Sequence, residues 1–508
     1  MNLGFQQAKA FVQKRKWAIV CIIMVSIILY LPKMANFTYS IDSERMAINP
    51  TEVMNSWIRI GRFGLVLLKH FFLFGTNLNP FFINGATYLL LAISAILLLY
   101  IFDQYVKAPI LFKVVAVLIY LVSPIHFEQT NFVLQSVEVL IGYNLLFAAI
   151  IVLHPFKKVT PLQWLLGIFL MAFSFSIYPS LVVASAMLLV IINHLFYMGK
   201  KSVIGVEAWL RSVIRPAISF MLSLVAYFVA NRIVLFLMGA TGDSYMFKSA
   251  LWGKIRLTEV LNSIANIFVE QFISLDKPFY LSTVTYLGIF ALLVLGLSNI
   301  RREFFNWPVA VSIVLEYILV ISPLILLGNG IGPIRTLTPT IPLALMVLVF
   351  TPLFYAKSKS LQMLLIAGAS ILIILQLKTT SDLEQTDILE FQNETKLANQ
   401  IVTRINEKGI FEYTDYTLVV VGGQQFKSAL TQYGEVIGHT HFDWDNLPTI
   451  GNNHRIHDFL ASQGCHFKVV TPKVYAKAQK FIQVNKLRRF PATNGIEVIG
   501  RTIIVNLQ

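Results

Sequence analysis

Asp42-Ser43-Glu44 sets two carboxylates two residues apart, about a dozen residues past an apolar run that ends at Leu31. A carboxylate at the edge of a bilayer can take the proton of an attacking hydroxyl, and a neighbour two residues on can raise its pKa or hold a cation. The plain alternative is a solvated loop, where acidic pairs are common. Downstream, an amphipathic stretch carries Trp57, Arg59, Arg62, Lys69 and His70, and Arg335 stands alone in the connection GNGIGPIRT. Arginine offers a planar fork that grips two phosphate oxygens at once, and glycines let backbone approach a ligand. The competing role for Arg59, Arg62 and Lys69 is to reach up to lipid headgroups. Acids beside a bilayer, followed by basic groups at interfacial depth, suit chemistry on a lipid with a charged head.

A third group is His126 and Glu128, in SPIHFEQTN, followed by Gln135 and Glu138. Glu138 falls inside an apolar run, where an ionisable side chain is expensive and marks a functional position by default. The bland alternative is a hydrogen bond to Tyr143 or Asn144 of its own bundle, and Glu316 is ambiguous in the same way. His126 and Glu128 lack the further ligands of a zinc site, so no metal is assigned; a divalent cation at the acid pair is compatible but unsupported. Gly422-Gly423 belongs to no GxGxxG pattern and has no P-loop lysine, which leaves a nucleotide site without support.

The elements that must position these residues are membrane spans. Of 508 residues, 56% are hydrophobic and 13% charged, with a mean hydropathy of +0.68, whereas soluble domains carry roughly 25% charged residues. Runs long enough for a hydrocarbon layer of about 30 Å fall near 17–32, 81–102, 110–124, 132–154, 161–177, 179–198, 213–238, 279–298, 308–328, 337–355 and 361–377, about eleven spans. The first has no small-residue cleavage site after it and reads as a retained anchor. With a cytoplasmic amino terminus, every inside loop is basic: Lys107, Lys157 and Lys158, Lys200 and Lys201, Arg301 and Arg302, Lys357 and Lys359. The net charge of +15 thus reflects orientation rather than nucleic-acid binding. This puts the 33–80 and 239–278 loops and everything after 378 on the outer side. The run Ile60–Phe74 is too short to span and reads as an interfacial or re-entrant helix; a short surface helix is expected after Thr258. Two distant cysteines offer no disulfide framework.

Residues 379–508 have soluble composition. Their pattern predicts a helix over Asp382–Lys408 closed by Gly409, strands at Thr417–Val421 and Phe467–Val470, helices at His457–Ser462 and Val474–Val484, and a hairpin of Ile496–Val498 with Thr502–Val505. The fold class is a polytopic α-helical membrane protein, residues 1–378, with an extracytoplasmic α/β domain, residues 379–508.

This layout resembles the GT-C glycosyltransferases, and more narrowly the type II O-antigen glucosyltransferases of bacteria. The resemblance rests on the acid pair after span one, Trp57 with Gly61-Arg62, the segment Pro124–Glu128, Tyr178 at the end of a later hairpin, and Arg335 before a late span. Gln135 and Pro179 depart from that pattern, where Asp and Gln are usual, which bears on the acceptor and the sugar. The resemblance covers most of residues 17–378. It implies an enzyme of the bacterial cytoplasmic membrane that needs no cofactor. Such an enzyme moves glucose or another hexose, with inversion, from a polyprenyl (undecaprenyl) phosphate donor to a cell-surface polysaccharide or lipid-linked glycan. It would act downstream of a polyprenyl-phosphate sugar synthase and a flippase. In that role Asp42 is the general base and Glu44 its helper. Arg59, Arg62 and Arg335 hold the donor phosphate, and Trp57, His126, Glu128, Glu138 and Tyr178 line the substrate site. The rival readings are a transporter or lipid flippase, for which an internal repeat is missing, and a scaffold for envelope assembly.

Overall fold

In lipid a backbone must satisfy its own hydrogen bonds, so long apolar runs become helices. The computed structural model describes residues 2–71, 78–200, 205–243, 250–274, 281–299, 306–328 and 334–508. Lys201, Lys248, Asp276, Lys277, Arg301 and Arg302, and Gly330 and Gly332 beside Arg335, lie outside the described residues. The helices are α1 (Asn2–Ala35), α2 (Ser43–Ile48), α3 (Pro50–Arg59), α4 (Phe63–Phe71), α5 (Pro80–Tyr105), α6 (Ile110–Leu121), α7 (Ile125–Thr130), α8 (Ser136–Leu153) and α9 (Pro161–Ile177). They continue with α10 (Leu181–Met198), α11 (Val206–Leu237), α12 (Leu257–Phe272), α13 (Leu281–Asn299), α14 (Trp307–Leu327), α15 (Ile341–Tyr355), α16 (Lys359–Asn406), α17 (Asn453–Ser462) and α18 (Pro472–Asn485).

Among the described residues, eight helices are long and apolar enough to cross a membrane: α1, α5, α8, α10, α11, α13, α14 and α16. Three shorter apolar helices, α6, α9 and α15, occupy the other expected runs. The chain is a polytopic membrane protein. Helix α15 is apolar on every side and buried along nearly its whole length, as a central helix must be. Helix α11 instead exposes Phe228, Phe236 and Leu237, the apolar surface a bilayer covers.

Residues 72–74 of the 60–74 run lie outside the described residues, and its described part, 60–71, is neither a span nor a surface helix. Gly61 breaks it, and the nine residues of α4 reach only about 14 Å. Helix α4 packs among the others, with Gly64 pressed on Ser176 of α9. Lys69 is buried and paired with Glu138 at 2.8 Å, so it does not reach for headgroups. The surface helix expected after Thr258 is α12, with only Val260 and Phe272 buried.

The last span does not end where the composition changes. Helix α16 runs unbroken for 48 residues, because no Gly or Pro intervenes between Gly368 and Gly409. It carries the chain straight into the carboxy-terminal domain. There β1 (Thr417–Gly422) pairs parallel with β3 (Thr502–Leu507), and β3 pairs antiparallel with β2 (Ile496–Ile499), giving the order β1-β3-β2. The period-two alternation of the strands divides two cores. Leu418, Val420, Ile503 and Val505 face the end of α16 and α17, while Val419, Val421 and Ile504 face α18. The strand expected at Phe467–Val470 is reduced to one bridge, Lys468 to Thr417.

Candidate active site

Asp42 stands just before helix α2, its backbone left-handed with φ 75°, a conformation Asp and Asn bear better than other residues with a Cβ. Glu44, on the first turn, is fully buried. Helix α17 lies against α2 and delivers Arg455, which gathers three carboxylates. Its Nη1 donates to Asp42 at 2.6 Å and to Glu44 at 2.9 Å, while Nε and Nη2 donate to Asp445 at 3.0 and 2.5 Å. On the other side of Glu44 lies His441. Its Nε2 donates to Glu44 at 3.1 Å and its Nδ1 to Glu394 of α16 at 2.9 Å.

With a carboxylate on each ring nitrogen, His441 is an imidazolium. Burial opposes that charge, but Glu394 and Glu44 push its pKa up to about 10. Burial likewise works against the Glu44 carboxylate, yet His441 and Arg455 outweigh it and hold its pKa below the ordinary value. The side chain of Asp42 keeps 41% of its surface exposed. Of the two acids, Asp42 is the one a reactant can reach; Glu44 is sealed in as the anchor of Arg455 and His441.

Arg62 is aimed by a helix end. The Arg62 N–H donates to Trp57 O at 2.8 Å and the Gly61 N–H to Ile58 O at 3.0 Å, the paired bonds of a Schellman motif with Gly61 at its left-handed position, φ 84°. The side chain then lies over the ring of Tyr178, with Cζ 4.8 Å from its centre. Nη1 donates to Gln135 Oε1 at 3.0 Å, and the buried Nε has no partner. Burial above all, and the charge of nearby Arg335, disfavour this cation, while Asp42 lies close enough to favour it. No carboxylate hydrogen-bonds to it among the described residues.

Arg335 sits in the turn Ile334–Leu337 and pairs with Glu435 of the carboxy-terminal domain at 2.5 Å, its guanidinium 4.6 Å from the centre of the Phe132 ring. Glu128 accepts the N–H groups of Glu435 and Val436 at 2.7 and 3.4 Å. Burial and the charge of Glu435 push Glu128 up to about 8 in spite of those donors. These two candidates therefore also clamp the tail to the bundle. At the same end, buried Lys33 of α1 donates to Asp387 of α16, Thr38 and Asn131, each at 2.6 Å.

The remaining candidates are more scattered. Glu138 is held by Lys69 rather than by Tyr143 or Asn144, and Trp57 is buried with its ring 6.0 Å from the Lys69 ammonium. His126 is buried, pushed down to about 3 by burial, and neutral, with Nε2 donating to Tyr120 O at 2.9 Å. The Arg59 side chain is exposed and its carbonyl accepts the Asp243 N–H at 2.9 Å. Glu316 bonds His194 at 2.8 Å inside the bundle. Sequence reasoning missed Arg455, His441, Asp445, Glu394 and Glu435. One signal was available: Glu384, Asp387, Glu390 and Glu394 recur on a single face of α16, and all four are buried, a poor pattern for a solvated helix.

Neither a curated protein nor a solved structure matches the chain. The family model described as glucosyl transferase GtrII matches residues 31–354, a stretch that holds Asp42, Glu44, Arg62, Tyr178 and Arg335 and stops short of Arg455 and His441. The chain thus belongs to the GtrII glucosyl transferase family and is a membrane glycosyltransferase.

Proposed function

We propose that this glycosyltransferase takes a sugar, glucose or another hexose, from a polyprenyl phosphate. It passes the sugar to a hydroxyl of a cell-surface polysaccharide or lipid-linked glycan on the extracytoplasmic face of a bacterial cytoplasmic membrane. One observation carries this reading above the others. Half-buried Arg62 has a buried Nε without a partner and, among the described residues, no carboxylate hydrogen-bonded to it, and it lies within electrostatic range of a reachable acid, Asp42. Buried donors are rarely left unpaired, and a phosphate oxygen is the acceptor a guanidinium fork fits best.

In the step we envisage, the acceptor hydroxyl attacks the anomeric carbon from the face opposite the phosphate. Asp42 takes the hydroxyl proton as the new C–O bond forms. The bond to the phosphate oxygen breaks and polyprenyl phosphate departs with both electrons, giving inversion at the anomeric carbon. Arg62 and Arg335 steady the charge that grows on the leaving phosphate, an effect worth about 3–4 kcal/mol per donor. Arg455 sets the direction of Asp42, and Glu44 with His441 fixes Arg455. A GT-C type of enzyme facing outward fits the basic loops on the opposite side of the bundle.

The test is Asp42→Asn in membranes supplied with a polyprenyl-phosphate hexose and a glycan acceptor. Asn keeps the left-handed backbone and the shape, so the protein should fold while transfer falls at least a hundredfold. Transfer at the wild-type rate would remove Asp42 as the base.

A further inference from the structure

A cavity of about 760 Å³ lies along the far end of α16, between that helix, Phe37 just past α1, and the turn at Phe490-Pro491. Phe391, at its near end, stands fourteen residues beyond Leu377, where the apolar run of α16 stops. At 1.5 Å per residue that is about 21 Å, while headgroups add only about 5–8 Å to each side of the hydrocarbon. The groove therefore opens in water, above the lipid, on the same side of the membrane as Asp42.

Its lining suits a hydroxylated ligand. Phe37, Phe391 and Phe490 supply ring faces, and Phe37 is 50% exposed. Gln400 brings an amide that both donates and accepts, and the buried Thr395 Oγ1 has no partner. Arg404 is already bonded to Glu407 at 2.7 Å, and Lys396 adds an exposed ammonium that can donate to a sugar hydroxyl. Sugars show exactly such a pairing in other terms: an apolar C–H face ringed by hydroxyls that donate and accept. The volume is in the range of ligand sites. Phe391 also packs on Tyr39 at 5.0 Å, and Tyr39 on His441 at 6.1 Å. One layer of rings thus parts the groove from the network that holds Glu44.

We propose that this groove docks the acceptor as a polysaccharide chain, gripping sugars remote from the hydroxyl that reacts. The proposal rests on the transferase reading given above. The test uses the full chain in lipid nanodiscs. The probe is lipid-free polysaccharide released by mild acid from the envelope of the source cells. Gln400→Ala and the double variant Gln400→Ala/Arg404→Ala change exposed side chains, so thermal unfolding should match the wild type. Affinity for the polysaccharide should fall about tenfold or more, and the acceptor KM should rise with kcat unchanged. Transfer to a short alkyl glycoside, which cannot fill the groove, should not change. Failure of the wild type to bind the polysaccharide, or equal binding by the variants, overturns the groove. So does loss of binding to anionic vesicles in the variants without loss of polysaccharide binding. Asp42→Asn separates the two readings: it should bind polysaccharide normally and transfer nothing. If it still transfers, the base assignment fails while the groove result stands.

Discussion

Arg62 is set apart by what it lacks. Its one side-chain hydrogen bond goes to the neutral amide of Gln135 at 3.0 Å, so the charge stays available for an anionic ligand. Replacing Arg62 with Ala should lower the transfer rate by 10²–10³, the usual effect of losing one donor to a developing oxyanion. Arg62→Lys should recover little, because an ammonium cannot span two oxygens. Gln135→Glu is the sharper experiment. It places a carboxylate where the amide accepts, and a paired guanidinium should bind donor phosphate about tenfold more weakly, read as a higher donor KM with the fold intact. An unchanged donor KM would mean that Arg62 does not meet the phosphate. At this scale the sequence was informative about chemical type: Asp42 and Arg335 each lie within electrostatic range of Arg62, and Tyr178 lies under it. It was silent about Arg455 and His441, which reach Glu44 across 411 and 397 residues of chain. No local spacing encodes a contact of that separation.

Between residue and fold stands the corner joining α3 to α4. Gly61 makes it possible twice over, through its positive φ and through the approach of Tyr227, whose hydroxyl donates to Gly61 O at 3.2 Å. A Cβ there would sit 2.4 Å from that hydroxyl oxygen. Gly61→Ala should cost about 1–3 kcal/mol and lower activity by tilting Arg62. Adding Tyr227→Phe removes the clashing oxygen but not the backbone strain, so the double variant should regain part of the thermal stability. No recovery would show that the clash is not the cause. Elements in general were legible where one period ruled: among the described residues all eleven apolar runs form helices, and the 496–505 hairpin is present. They were not where two periods met. The apolar run of α16 passes directly into an amphipathic face, and the missing break, with no Gly or Pro to make one, turned two expected helices into a single rod. The strand expected at Phe467–Val470 has the right residue types but only one bridging partner.

On the scale of the whole molecule, the carboxy-terminal domain packs its own charged side chains against the candidate site. Lys33 with Asp387, Glu128 and Arg335 with the segment at 435–436, and Arg455 with Asp42 and Glu44 are three separate clamps between bundle and tail. The buried His441 bridge between Glu44 and Glu394 makes the attachment sensitive to pH. Unfolded, His441 titrates near its ordinary 6.5; folded, its pKa is about 10. A group raised in this way stabilises the fold fully below the unfolded value and loses that contribution as pH rises through the folded one. Glu44 is shifted the opposite way, so its contribution is present above its ordinary value and is lost as pH falls through the lowered one. The contribution of His441 to docking should therefore be full in mildly acidic solution, weaken progressively above about pH 6.5 and be gone by about pH 10, which limited proteolysis of the 423–434 segment would report. His441→Gln leaves two buried carboxylates without their shared cation, a loss of about 3–5 kcal/mol by the rule for broken buried pairs. That variant should be cut readily at pH 7 and show no further loosening towards pH 10. A wild-type pattern of cleavage in His441→Gln would mean that the tail is held by the three clamps alone, and that the acid pair is organised without it.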